Sequence, residues 1–103
     1  MKSRLDSLLE MLEQQPFDSF LLYGIALEYM SMNEDEKAEE YFKELLEADP
    51  GYVPAYMQYA SLKINQNEIE EARFLLRKGI KIAREKNDRH AVNEMEDLLD
   101  ELD

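Results

Sequence analysis

The chain has 103 residues, 45% of them hydrophobic and none cysteine, and sets 24 acidic against 12 basic side chains for a formal net charge of −12. That length predicts one domain over residues 1–103 with a modest core. The missing cysteine excludes a disulfide framework, a zinc–thiolate site and a cysteine nucleophile, and the negative field disfavours nucleic acid and anionic membrane surfaces, leaving a basic or neutral partner as the expected one.

The first predicted element is a half repeat over residues 3–15. Leu5, Leu8, Leu9 and Leu12 fall at i, i+3, i+4 and i+7 with Asp6, Glu10 and Glu13 between them, an amphipathic helix that Pro16 stops. Acidic side chains recur every few positions from Asp6 onward. They leave no unbroken apolar stretch for a signal peptide or a membrane helix, so a soluble, cytoplasmic protein is expected.

Residues 19–50 form the first complete unit. Asp18 is an N-cap for a helix that runs to about Met30 and is apolar nearly all round, from Phe20, Leu21 and Leu22 through Ile25, Ala26 and Tyr29. A helix of that kind is covered on most sides or offers a binding face. Asn33 stands where a left-handed residue ends the helix, a conformation that asparagine tolerates. Asp35 and Glu36 suit the positive start of the next helix, which carries Ala38, Tyr41, Phe42, Leu45 and Leu46 on one side. Ala48-Asp49-Pro50-Gly51 then makes a turn.

The second unit, residues 53–86, repeats the first at a shift of 34: Ala26 becomes Ala60, Asn33 becomes Asn67 and Ala38 becomes Ala72. Pro54 fits a first helical turn, and Ala72, Leu75, Leu76, Gly79 and Ile80 form the second packing stripe. Arg84 occupies the place of Pro50, so this helix can run on to about Lys86 before Asn87 and Asp88 supply a stop and a new N-cap. Residues 88–102 are a capping helix, with Ala91, Val92, Met95, Leu98, Leu99 and Leu102 inside and acids outside.

Leu22-x2-Ile25-Ala26-x2-Tyr29, then Ala38-x3-Phe42, then Pro50 resembles the tetratricopeptide repeat, in particular its short stand-alone bacterial members. Tyr56-x2-Tyr59-Ala60 with Ala72-x3-Leu76 resembles it less completely, because Lys63 replaces the tyrosine and Arg84 the proline. The resemblance implies an all-α fold, an α-solenoid of antiparallel helix pairs with six helices: a half repeat, two units and a C-terminal cap. It also implies a non-enzymatic adaptor that binds a protein or peptide, apolar or basic, as an extended segment or helix in a concave groove lined by the first helix of each unit. On that basis the candidate partner-binding residues are Phe20, Tyr23, Gly24, Leu27 and Met30 of the first unit, and Met57, Gln58, Ser61 and Ile64 of the second. The alternative is a structural homo-oligomer that self-associates through the same apolar groove, so a monomer and a weak homodimer both remain open. A lysine, arginine and asparagine clamp for the carboxylate of chaperone tails, found in some members, is not expected at these apolar or neutral positions.

No catalytic, cofactor-binding or metal-binding residues are expected. His90, the single histidine, falls in the first turn of the last helix beside Asp88 and Arg89, a position expected to be exposed and not in the pocket that a catalytic role needs. Glu34-Asp35-Glu36 lacks the spacing and central glycine of a calcium loop. The basic run Arg73, Arg77, Lys78, Lys81, Arg84 and Lys86 has no interleaved aromatic residue beyond Phe74. It is expected to lie beside the acidic helix of residues 35–48, offsetting its charge.

Overall fold

The computed structural model describes residues 1–103 and contains six α-helices and no strand. They are α1 (Arg4–Gln14), α2 (Ser19–Ser31), α3 (Asp35–Ala48), α4 (Val53–Asn65), α5 (Ile69–Glu85) and α6 (Arg89–Glu101). The fold is the expected all-α one, and every helix boundary lies within a few residues of its sequence signal. None of the helices is long and apolar enough to cross a membrane. The contacts divide the chain into two compact units, Met1–Tyr52 and Val53–Asp103.

In the first unit, α1 opens with a capping box: Ser3 Oγ accepts from the Asp6 amide at 3.0 Å, and the Ser3 amide donates back to the Asp6 carboxylate. The expected cap on α2 is present as well, with Asp18 Oδ1 accepting from the Leu21 amide at 2.9 Å. Leu8 of α1 packs with Leu21 and Ile25 of α2, and Leu5, Leu9, Leu12, Tyr29 and Tyr41 close around them. Ala26, Ala38, Phe42 and Leu45 have no exposed surface. The two alanines keep the α2–α3 pair close while Phe42 and Leu22 fill the space beside them, as close packing of helix on helix requires. Two polar ties join the helices at the edge: Ser19 Oγ donates to Asp49 Oδ2 at 2.8 Å, and Arg4 Nε lies 2.8 Å from Glu28 Oε1.

In the second unit α4 and α6 both pack on α5. The three helices meet at Gly79, where a Cβ would stand 2.7 Å from Tyr56 Cβ and 2.7 Å from Met95 Sδ. Hydrogen alone fits that place. With no proline at Arg84, α5 reaches 17 residues against 14 for α3, as the sequence predicted.

The turns show how the repeat is written into the backbone. Asn33, Asn67 and Asn87 all have φ near +60°, and each closes its helix with the same pair of bonds. The asparagine amide donates to the carbonyl three residues back: Asn33 to Met30, Asn67 to Ile64 and Asn87 to Arg84. The next amide donates five residues back: Glu34 to Tyr29, Glu68 to Lys63 and Asp88 to Ala83. This is the Schellman arrangement, which satisfies carbonyls that a helix end would orphan. The α1–α2 and α3–α4 junctions share another turn, with Asp18 N–H donating to the Gln15 carbonyl and Tyr52 N–H to the Asp49 carbonyl, both at 3.1 Å.

Candidate functional site

Four of the five candidate residues in the first unit form one stripe. At about 100° per residue, Phe20, Tyr23, Leu27 and Met30 fall within roughly a quarter of the α2 circumference. Phe20 is 64% exposed, and Tyr23, Leu27 and Met30 are half-buried. The Tyr23 ring rests against Tyr52 of the α3–α4 junction, centroids 5.3 Å apart and planes tilted by 50°. Burial, and after it the neighbouring Tyr52, pushes the Tyr23 hydroxyl above the ordinary tyrosine pKa. The ring thus stays neutral at physiological pH and presents an apolar body with a polar tip.

Gly24, the fifth expected residue, is a correction. It is buried under α1, and a Cβ there would come 3.3 Å from Leu8 Cδ1. The reason is helical phase. Gly24 follows Leu21 by three residues and so shares the face that packs on α1, where a partner cannot reach it.

In the second unit Met57, Gln58, Ser61 and Ile64 are all half-buried on α4, at the repeat-equivalent positions of Tyr23, Gly24, Leu27 and Met30. This surface alternates thioether and aliphatic groups with an amide and a hydroxyl, so it is more polar than the α2 stripe. His90 is exposed, and its Nε2 pairs with Glu94 Oε1 one turn along α6 at 2.9 Å. Two members of the basic run on α5 have ion-pair partners within the second unit. Arg84 pairs with Glu96 of α6 at 2.7 Å. Arg73 pairs with Glu70 and Asp103 and donates to the Leu102 carbonyl at 2.6 Å. Both arginines find carboxylates inside the second unit, within reach of their own turn and of α6.

One feature escaped the sequence reading, which noted Lys63 only as a departure from the repeat. Lys63 is 5% exposed, with its ammonium 3.0 Å from Glu71 Oε2, 3.4 Å from Glu68 Oε2 and 5.8 Å from the Tyr59 ring centroid. At the repeat-equivalent positions of the first unit, Tyr29 stands in place of Lys63 and Lys37 in place of Glu71. There the Lys37 ammonium lies 5.5 Å from the Tyr29 centroid. The same two positions thus hold a cation–π contact in one unit and an ion pair in the other, with the cation moved from the second helix to the first. The signal was a Lys63–Glu71 pairing at the spacing of Tyr29–Lys37.

Helix pairs joined by identical Schellman turns at a 34-residue interval, with an apolar stripe left on the first helix, define a helical repeat protein. The sequence profile of the tetratricopeptide repeat matches residues 29–92. The chain belongs to the tetratricopeptide repeat family, whose fold generally serves as a non-enzymatic module of protein–protein interaction.

Solved structures agree on the fold. A tetratricopeptide repeat domain protein from Salinibacter ruber, determined by solution NMR, is similar at 28% identity over 85% of this chain and 89% of its own, with a TM-score of 0.81. The TPR2B domain of yeast Sti1, solved in complex with pHsp70, is similar at 21% identity over 95% of this chain and 78% of its own, with a TM-score of 0.89. A protein of Bordetella parapertussis is similar at 22% identity over 99% and 89%, with a TM-score of 0.86. No curated protein gives a significant match to the chain.

Proposed function

We propose that the chain is an adaptor that binds a peptide or an amphipathic helix through the α2 stripe of Phe20, Tyr23, Leu27 and Met30, with Met57, Gln58, Ser61 and Ile64 of α4 as the counterpart in the second repeat. The observation that carries this reading is the surplus of apolar surface on α2. Leu21, Leu22, Ile25 and Ala26 already supply its buried face, so Phe20 and Leu27 are not needed to hold the unit together. Large apolar side chains beyond that need mark an interaction surface. Methionines at positions 30 and 57 add adaptable packing. The net charge of −12 steers basic partners toward the protein, and a cysteine-free chain suits a reducing, cytoplasmic setting.

The test is affinity capture followed by mass spectrometry with the wild-type protein and a Phe20→Glu/Leu27→Glu variant. The partner retained by the wild type is expected to be lost by the variant, while circular dichroism shows unchanged helicity. A variant that keeps the partner places binding elsewhere. Light scattering over a concentration series separates the homo-oligomeric alternative: a wild-type dimer that the variant lacks would make a second copy the occupant of the stripe.

A further inference from the structure

The first unit holds a recess that shares no residue with the α2 stripe. It is a cavity of about 530 Å³ where the end of α1, the Pro16–Phe17 turn and α3 meet. Leu12, Leu22 and the Tyr41 ring form its floor, Phe17 its wall, and Glu44 and Glu47 its rim. Phe17 is 79% exposed, an unusual position for a large aromatic side chain. Glu44 and Glu47 are exposed, lie one turn apart on α3, and form no ion pair within the chain, whereas Glu39 on the same helix has Lys43 at 3.8 Å.

The repeat itself requires none of these three side chains. Gly51 is the counterpart of Phe17 in the α3–α4 turn, which makes the same backbone bond, so the turn does not need an aromatic there. Lys78 and Lys81 are the counterparts of Glu44 and Glu47, so the helix accepts either charge at those positions. What is left is an apolar floor under an aromatic wall, edged by two carboxylates without cations.

We infer that this recess docks a basic amphipathic helical segment of another protein. One bulky apolar side chain enters between Phe17 and Tyr41, and a lysine or arginine one turn away pairs with Glu44 or Glu47. The argument is charge complementarity. An acidic or purely apolar segment leaves both carboxylates beside a desolvated contact without a partner, and a basic one supplies the partner.

The probe is a fluorescein-labelled synthetic helix of about sixteen residues, alanine-based, with a leucine stripe flanked by lysines. Its control is the same peptide with glutamate in place of lysine. Fluorescence anisotropy should show the lysine peptide binding the wild-type protein, more weakly as salt is raised, and the glutamate peptide not binding. Phe17→Ser and the Glu44→Gln/Glu47→Gln pair should each weaken the lysine peptide at least about tenfold, the size expected when a central apolar anchor or both charge partners are removed. The Phe20→Glu/Leu27→Glu variant of the α2 stripe should bind it as the wild type does, so failure of that stripe and failure of this recess are distinguishable.

Amide shift mapping on the wild-type protein supplies a readout that depends on no variant. Shifts are expected at Leu12, Phe17, Tyr41 and Glu44. Equal binding by the recess variants, equal binding of the two peptides, or shifts confined to α2 would overturn the inference. So would a wild-type dimer that Glu44→Gln/Glu47→Gln converts to monomer, because the occupant would then be a second copy.

Discussion

The chemically identical substitutions Gly24→Ala and Gly79→Ala are expected to have opposite signs. Both glycines lie inside helices, where alanine is favoured by about 0.8–1.0 kcal/mol through helix propensity and reduced backbone entropy. At Gly24 the added methyl meets only the tip of Leu8, at 3.3 Å, and a leucine terminus can turn aside by a few tenths of an ångström. The propensity gain survives there, and the variant should be neutral to about 1 kcal/mol more stable. At Gly79 the methyl stands 2.7 Å from both Met95 Sδ and Tyr56 Cβ. The methionine can swing away, but Tyr56 Cβ is fixed to the α4 backbone, so relief requires α4 and α5 to separate. Overpacking of this kind costs about 1–3 kcal/mol, and a clash with an atom fixed to the backbone lies at the upper end of that range, so against a gain of about 1 kcal/mol the net loss is about 2 kcal/mol. Urea melts of both variants, supported by thermal melts in which 1 kcal/mol moves Tm by about 4–8 °C, give the signs directly. A Gly79→Ala protein as stable as the wild type would show that helix propensity outweighs contact at this crossing and would refute the steric account.

Lys63 separates charge from packing: Lys63→Met should stay within about 1 kcal/mol of wild type in urea melts, because Glu68 and Glu71 remain accessible to water, whereas Lys63→Glu should lose about 3–5 kcal/mol by burying a carboxylate beside two others. Equal losses in the two variants would show that the lysine acts through its bulk alone. The tyrosines set the alkaline limit. Burial pushes Tyr23, Tyr41 and Tyr52 above the ordinary value near 10, with secondary contributions from Tyr52 at Tyr23, from Tyr29, Glu44 and Glu40 at Tyr41, and from Asp49 and Asp18 at Tyr52. Above pH ~10 the unfolded chain therefore releases these protons before the folded one does, and stability should fall as pH rises through that range. A Tyr41→Phe/Tyr52→Phe variant should show a shallower fall between pH 9 and 11 (about one unit either side of the reference value) in urea midpoints; an unchanged slope would assign the loss to other groups.

The parts of the fold that sequence reasoning recovered are those written in short-range chemistry. Asp18 caps α2 because a carboxylate three residues before Leu21 can reach its amide. Asn33, Asn67 and Asn87 end helices because asparagine tolerates positive φ, and the length of α5 followed from arginine replacing a proline stop. The α2 stripe was legible for the same reason, since four apolar residues at helical spacing need no tertiary information. The parts that were missed depend on contacts across helices. Gly24 looked available because its neighbours in the stripe are, and only the position of Leu8 on α1 shows it to be covered. Lys63 looked like a lapse in the pattern, although its partner Glu71 lies eight residues away and across a turn. Arg73 and Arg84 likewise carried no mark of which carboxylate they would take.

The two units therefore combine a shared backbone with divided surfaces. The asparagine turns and the buried alanines at positions 26, 38, 60 and 72 recur in both, and a substitution there acts on the fold in the same way in each unit. The side chains facing outward diverge in sign. The exposed Lys37 becomes the exposed Glu71, and Glu44 with Glu47 becomes Lys78 with Lys81. Because the repeat bonds are made by backbone atoms and small buried residues, such reversals cost the fold little: an exposed charge contributes on the order of 0.2–1 kcal/mol, against about 1 kcal/mol or more for a turn residue held at positive φ. Specific recognition can thus change between repeats while their geometry does not. On the proposed reading, partners of this chain are to be sought from the residues in which its two units differ, Phe17, Phe20, Tyr23, Glu44 and Glu47 foremost, and not from those that they share.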